Sequence, residues 1–467
     1  MAHPPTTSAE APAPVQTSAP APAPVLAPAP ARRSAWSEGT DRLRAAATTE
    51  PGRLRIIGAV IAVLVVAFGA VAAFEISDRS AAADDVVSRS QPLSADAANI
   101  YRSLADADTA AASGFLAGAI EPADVQARYD KDIATASRLL VKAAANTDSS
   151  SDSGQQIAQL NEWLPRYTGL IERARANNRQ GLPLGGAYLR YANQQMTTQL
   201  LPAAEKLYDA ETGRLYEDYD SAEIWPYFGI AVGVIALGGL FYAQRRSYLR
   251  TNRVFNHGLV AATVASAVVL LWLGVGHAVA RSDLATSRTH GQESLKVLND
   301  ARINSLKARA NENLTLVARG AVLTKDGTQD QYEADYGGEM KSLLAGLTQA
   351  KGLAKGDKAG LDPVNLAATS ADIWQGRHTK ARRTDDNGDY DGALTAVIGA
   401  KNSTGECFDQ VDAAIQKAID HEQKQFTTAA QDGRDALTGL PIGAAVLAVL
   451  GAAGAAVGIS RRLSEYR

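Results

Sequence analysis

Four stretches of the chain stay apolar long enough to cross a bilayer: residues 54–74, 223–243, 254–280 and 437–459. About 20 such residues span the ~30 Å hydrocarbon core. The segments between them, 75–222 and 281–436, switch to a helical alternation of apolar and polar positions. In the first, Ile100, Leu104, Ala107, Ala111 and Phe115 make one stripe, and Val125, Tyr129, Ile133, Ala136 and Leu140 make a second. A third stripe is Ile157, Leu160, Leu164, Tyr167 and Ile171. Apolar residues at these spacings line one face of a helix and bury it against neighbours. No stretch alternates with the period of two that a strand needs. The pattern predicts an all-α fold with four transmembrane helices and two tandem four-helix bundles. In the first bundle the helices cover about 76–119, 122–146, 155–178 and the run that leads straight into the second span. In the second they cover about 282–324, 329–352, 363–384 and 390–436.

Charge sets the orientation. The segment 244–253 holds Arg245, Arg246, Arg250 and Arg253 and no acid, so it reads as a cytoplasmic basic loop and a candidate contact for a cytoplasmic partner. Arg42, Arg44, Arg53 and Arg55 precede the first span, a signal anchor, and Arg461 and Arg462 follow the last. Both termini are therefore expected inside and both bundles outside the cell membrane. Residues 1–53 are rich in Ala and Pro, a composition that cannot bury a core and reads as a disordered cytoplasmic arm; residues 460–467 form a short tail.

The halves repeat one plan. Trp163, Arg166 and Thr168 recur as Trp374, Arg377 and Thr379, each 211 residues on, and Gly181 and Gly392 keep that spacing. Such self-similarity reads as internal duplication. The first helix of each bundle, at about 45 residues and 1.5 Å rise, reaches ~65 Å, whereas the middle two reach ~37 Å. Their membrane-proximal parts are therefore expected to pair across the halves as coiled-coil-like stalks.

The 467-residue chain carries a net charge of −3, which argues against a nucleic-acid partner. Its single cysteine, Cys407, allows no internal disulfide, and six scattered histidines offer no metal spacing. No phosphate loop, nucleophile elbow, zincin or kinase motif occurs, so neither catalytic residues nor a cofactor are expected and the chain does not read as an enzyme. Asp385, Asn387 and Asp389 imitate calcium ligands, but Tyr390 stands where that loop needs glycine, so the stretch reads as a turn. Trp163 and Trp374 fit packed aromatics better than ligand contacts. Arg166 and Arg377 fit salt bridges better than a carboxylate clamp. Leu182 and Leu184, set among turn residues, are candidates for docking a partner. Gly229 and Gly233, Gly439 and Gly443, and Gly454 and Gly458 have the small-xxx-small spacing that lets membrane helices approach. His257 and His277, near the ends of the third span, read as interfacial.

Span, helical bundle and span in succession resembles bacterial four-helix sensor modules, though no HAMP, methyl-accepting or kinase region is present. The duplicated form resembles the actinobacterial GlnX-type membrane sensor proteins, chiefly over WLPRYTGLIERARANNRQGLPLGGAYLR (163–190) and LPAAEKLY (201–208). The resemblance implies a relay of amino-acid availability from an extracytoplasmic solute-binding lipoprotein to a cytoplasmic Ser/Thr kinase of PknG type. It supplies no binding residues. The competing expectation is an envelope scaffold or adhesion protein through which no signal crosses. Membrane lipid is a partner under either, and homo-oligomerisation stays open.

Overall fold

The computed structural model describes residues 48–251 and 256–464. The Ala/Pro-rich arm up to residue 47, Arg253 and residues 465–467 lie outside the described residues. In the first half the helices are α1 (Glu50–Asp85), α2 (Gln91–Leu116), α3 (Ala123–Asn146), α4 (Asp152–Arg179), α5 (Leu184–Gln195), α6 (Leu201–Glu223) and α7 (Tyr227–Thr251). The second half has α8 (His257–Thr286), α9 (Glu293–Ala318), α10 (Gln331–Leu353), α11 (Lys358–Asp386), α12 (Tyr390–Ile398), α13 (Thr404–Leu437) and α14 (Leu440–Ser464). No strand occurs among the described residues; a lone bridge joins Leu323 and Asp330 in the turn after α9.

Three joints are π-turns: Val86–Ser90 between α1 and α2, Met196–Leu200 between α5 and α6, and Ser287–Gln292 between α8 and α9. Pro92 and Pro202 follow the first two within two residues. Proline has no N–H to give and its ring crowds the carbonyl one turn back, so the helix widens there rather than stopping. The outgoing helices α1–α2 and α8–α9 thus continue from the apolar layer to the far end of the molecule.

The returning helices do not. Where the sequence suggests continuity into the second span, α6 ends and Ile224 turns extended (ψ 128°) before Pro226 starts the next helix. At the matching place in the second half, Gly439 takes φ +82°, a conformation costly for any side chain, between α13 and α14. The fourth helix of the second bundle is also split. Gly399–Ser403 separates α12 from α13, with Asn402 left-handed (φ 58°) and Ser403 Oγ accepting the Glu406 N–H at 3.1 Å as the new N-cap. At the other end, residues 244–251 continue α7 as helix, so the basic loop begins later than the charge pattern suggests.

Among the described residues, four helices are long and apolar enough to cross a membrane, which makes this the architecture of a multi-pass membrane protein. They are α1, α7, α8 and α14, packed as a bundle that turns Val63, Phe74, Phe228, Leu271 and Ile442 outward. α8 and α14 approach closely: a Cβ on Gly258 would stand 2.2 Å from the Gly454 carbonyl oxygen and 2.6 Å from the Gly458 Cα. Gly454 and Gly458 therefore form a real helix contact, whereas Gly439 serves the break.

Beyond the apolar layer lies a stalk of α1, α6, α8 and α13, sealed by Ile76, Val86, Leu215, Tyr219, Leu284 and Phe426. Beyond that lies a head. The two four-helix sets share one core, in which Leu104, Leu160 and Tyr167 join Leu306, Met340 and Trp374. α2 and α9 run side by side through its centre, buried on nearly every face. In α2 small residues explain this, since Ala, Ser and Thr let neighbours close in on all sides; α9 adds larger buried side chains such as Leu306, Arg309 and Glu312. Each large apolar side chain buried around them contributes about 1.5–3 kcal/mol.

Candidate functional site

Two clefts open where the sets of helices meet, on opposite sides of the α2–α9 pair. In the first, of about 680 Å³, the returning helix α5–α6 of one half faces α10 of the other. In the second, of about 700 Å³, the returning helix α13 faces α3. Each cleft therefore places the fourth helix of one half against the second helix of the other, as an internal two-fold would. Between the clefts the central helices are bonded directly: Thr109 Oγ1 donates to the Leu306 carbonyl at 2.9 Å, and Asn313 Nδ2 to Ser113 Oγ at 2.7 Å.

Asp108 and Glu312 are deeply buried carboxylates on the central helices of the two halves. Asp108 accepts from Tyr167 Oη at 3.1 Å and Asn193 Nδ2 at 2.7 Å, and burial pushes its pKa up to about 6 against those two bonds. Glu312 accepts from Arg309 at 2.6 Å, His378 Nδ1 at 2.9 Å and Trp374 Nε1 at 3.2 Å. Burial opposes its charge, but His378 and Arg309 outweigh burial and lower its pKa. His378 rises to about 9 although burial disfavours its cation, because Glu312 and Glu333 bond both ring nitrogens. Tyr167 and His378 are the positions that stand 211 residues apart beside the repeated arginines. The duplicated patch thus grips a buried acid in both halves, with different chemistry.

A polar layer stitches the halves lower in the head. Arg128 of α3 pairs with Asp106 at 2.7 Å and reaches Asp409 of α13 at 3.6 Å. Arg302 holds Asp412 with two bonds, at 2.6 and 3.0 Å, and also bonds Gln416. Burial and the neighbouring Asp106 carboxylate push Asp132 upward, so Asp132 retains a proton more readily than an ordinary carboxylate.

The stalk joins the halves through Tyr219. Its hydroxyl lies 2.7 Å from Ser287 Oγ, which donates to the Phe426 carbonyl at 3.2 Å, and its ring meets Phe426 edge-on at 6.4 Å. At the membrane boundary, Arg79 of α1 donates to the Ile224 carbonyl at 2.6 Å and the Trp225 carbonyl at 3.2 Å. Glu75, one turn below, accepts the Gly229 N–H at 2.6 Å. One outgoing helix thus caps both ends of the break in the returning one. His277 and Arg281 close the other side: the imidazole meets the Trp225 ring at 5.1 Å, and Arg281 donates to the Glu223 carbonyl at 3.4 Å.

The residues singled out in sequence are scattered. Trp163 is half-buried under the Arg166 guanidinium (4.5 Å to the ring), and Arg166 pairs with Glu162 at 2.9 Å on the surface. Trp374 is wholly buried on Glu312, and Arg377 ties the Ser403 carbonyl (2.9 Å) and Glu406 (3.1 Å) at the start of α13. Both arginines thus make local ion pairs. Leu182 and Leu184 are exposed at the far tip of the head, near exposed Ile120. Arg245 and Arg246 lie on the last turns of α7. None of the six head residues lines the first cleft. Asp385 pairs with Arg382 and Asp389 caps α12, as turn residues do. Asp108 and Glu312 match no motif: Asp108 follows Asp106 in an Ala-rich stretch, and Glu312 stands between Asn311 and Asn313 one turn after Arg309.

Residues 82–220 match the family model described as an actinobacterial sensor domain. The match begins in the stalk part of α1, runs through the head elements of the first half and ends beside Tyr219. No curated protein and no solved structure matches the chain.

Proposed function

We propose that this protein is a non-catalytic membrane signal transducer whose head lies outside the cell and whose basic α7 end lies in the cytoplasm. The sensor-domain match supports a sensing role for the first half. The observation that carries the reading is the contrast between helices. The outgoing pair α1–α2 and α8–α9 runs from the apolar layer to the centre of the head, while both returning helices break at the membrane boundary. A shift between α2 and α9 therefore has a continuous path inward, and the breaks at 224–226 and 438–439 let the other two spans follow without bending. Packed helix interfaces shift by ~1–2 Å between discrete arrangements, and a coupling of ~1–3 kcal/mol suffices to bias them.

In the fuller form of this reading, an extracytoplasmic solute-binding lipoprotein docks on the exposed tip around Leu182 and Leu184 and reports amino-acid availability. Arg245 and Arg246, with Arg250 and Arg253 beyond them, contact a cytoplasmic Ser/Thr kinase of PknG type. Crosslinking in native membranes, followed by capture of the whole protein and mass spectrometry, tests it. Recovery of both an external binding protein and a cytoplasmic kinase is expected. Recovery of envelope or cell-wall proteins alone would return the chain to the scaffold class.

A further inference from the structure

The first cleft has an asymmetric distribution of charge. At its outer end stands Arg190 of α5, half-buried beside Tyr332, with no carboxylate within ion-pair distance among the described residues. At its inner end Lys307 lies 5.6 Å from the Tyr101 ring, and its acidic neighbours are Glu339 and Glu205, two carboxylates for one ammonium. Glu339 is partly buried, and burial raises its pKa, so a further cation there would be favoured. Asp335, which also lines the cleft between Tyr332 and Glu339, is exposed and accepts from Gln331 Nε2 at 2.8 Å, so the cleft offers one unpaired guanidinium near Tyr332 and an excess of carboxylate from Asp335 inward.

The two ends are set by Tyr332 and Glu339, which share α10 seven residues apart, or about 10 Å at 1.5 Å per residue. A free amino acid holds its ammonium and carboxylate on one carbon and cannot reach both. An extended chain gains about 3.3–3.6 Å per residue, so three residues bridge the gap. A cleft of about 680 Å³ is in the range for a ligand of that size. We infer that the first cleft binds a short zwitterionic peptide of about three residues, its carboxylate on Arg190 and its ammonium between Glu205 and Glu339. The ligand would touch both halves, since Arg190 and Glu205 come from the first and Glu339 from the second. Its binding energy would then bear on the α2–α9 pair directly. The second cleft lacks this arrangement, because its arginines, Arg128 and Arg309, are already paired.

The inference rests on the sensor reading, and the two fail separately. Peptide binding without any effect on the inner helix ends overturns the transducer and leaves the site. Absence of binding overturns the site and leaves partner capture to decide the transducer. The test is calorimetry on the full chain in lipid nanodiscs with tri-alanine and an equimolar pool of mixed tripeptides. N-acetyl tri-alanine and tri-alanine amide serve as the end-capped forms. Saturable binding of uncapped peptide is expected, weakened about ten- to hundredfold by capping either end, since each cap removes a charge-assisted contact. Arg190→Gln should erase the penalty for the amide while keeping that for the acetyl form; Glu205→Gln with Glu339→Gln should do the reverse. Absence of saturable binding, or capped forms that bind as tightly as tri-alanine, overturns the inference. The wild-type comparison of capped and free peptide needs no variant to fold.

Discussion

Replacing Glu312 by glutamine removes the anion at the centre of the second half's buried network. The residue is only 2% exposed, and it faces two cations, Arg309 and His378, along with the Trp374 indole. Breaking a buried ion pair by deleting one partner costs about 3–5 kcal/mol, because the remaining charge stays desolvated. The imidazole gives a second route to the magnitude. Its pKa stands at about 9 against an ordinary 6.5, and at 1.36 kcal/mol per unit that difference is about 3 kcal/mol. Both figures describe the same interaction and are not added. Because the folded pKa is raised, this stabilisation is complete below about pH 6.5, declines as pH rises and is gone above about pH 9. Intrinsic-fluorescence melting of the full chain in nanodiscs between pH 6 and 10 measures it. Glu312→Gln should melt about 3–5 °C below wild type near pH 6.5, and the gap should narrow as pH rises through 9. Equal melting temperatures at pH 6.5, or a gap that stays constant to pH 10, would refute the ion network as drawn.

Asp108→Asn should act in the opposite direction. A carboxyl raised from 3.8 to about 6 is a penalty that grows as pH rises through that interval, so the variant should gain about 1–3 kcal/mol at pH 7.5 and lose the advantage by pH 4, read by the same melts. Gly258→Ala should loosen α8 from α14, since its Cβ would overlap the Gly454 carbonyl oxygen. A loss of about 1–3 kcal/mol in nanodisc melting checks this. Tyr219→Phe removes the hydroxyl that meets Ser287 across the stalk and should cost about 1 kcal/mol. Faster hydrogen exchange in the stalk, with an unaltered head, would localise the effect.

The spans, the helical class and most helix limits were legible because each rests on local sequence. Twenty apolar residues or a stripe such as Ile157, Leu160 and Leu164 speak for themselves. The break at Ile224–Pro226 was not read from the sequence, which suggests one continuous run: Pro226 lies inside that run, and the break is held by Glu75 and Arg79, some 150 residues away. The split between α12 and α13 had a local signal that apolar periodicity overrode, namely Gly399, Asn402 and the Ser403–Glu406 cap. The clefts were not legible. They exist because α2 and α9 pack against each other, and small residues on every face of a helix say that it is buried without saying by what. Trp163 and Trp374 are the conspicuous repeated aromatics, yet the repeat's consequence lies four residues on, where Tyr167 and His378 hold the buried acids.

If a signal crosses the membrane through the stalk, the head and the inner helix ends move together, and two distances in one sample read that motion. Spin labels at Tyr191 and Gly338 span the first cleft, and a second pair at Tyr248 and Ser460 spans the inner ends of α7 and α14. Both are recorded in nanodiscs by pulsed electron resonance, without effector and across added peptide pools, amino acids and envelope extracts. Any addition that changes the outer distance should change the inner one by about 1–2 Å. An outer distance that responds while the inner distribution stays superimposable would contradict transduction through the stalk.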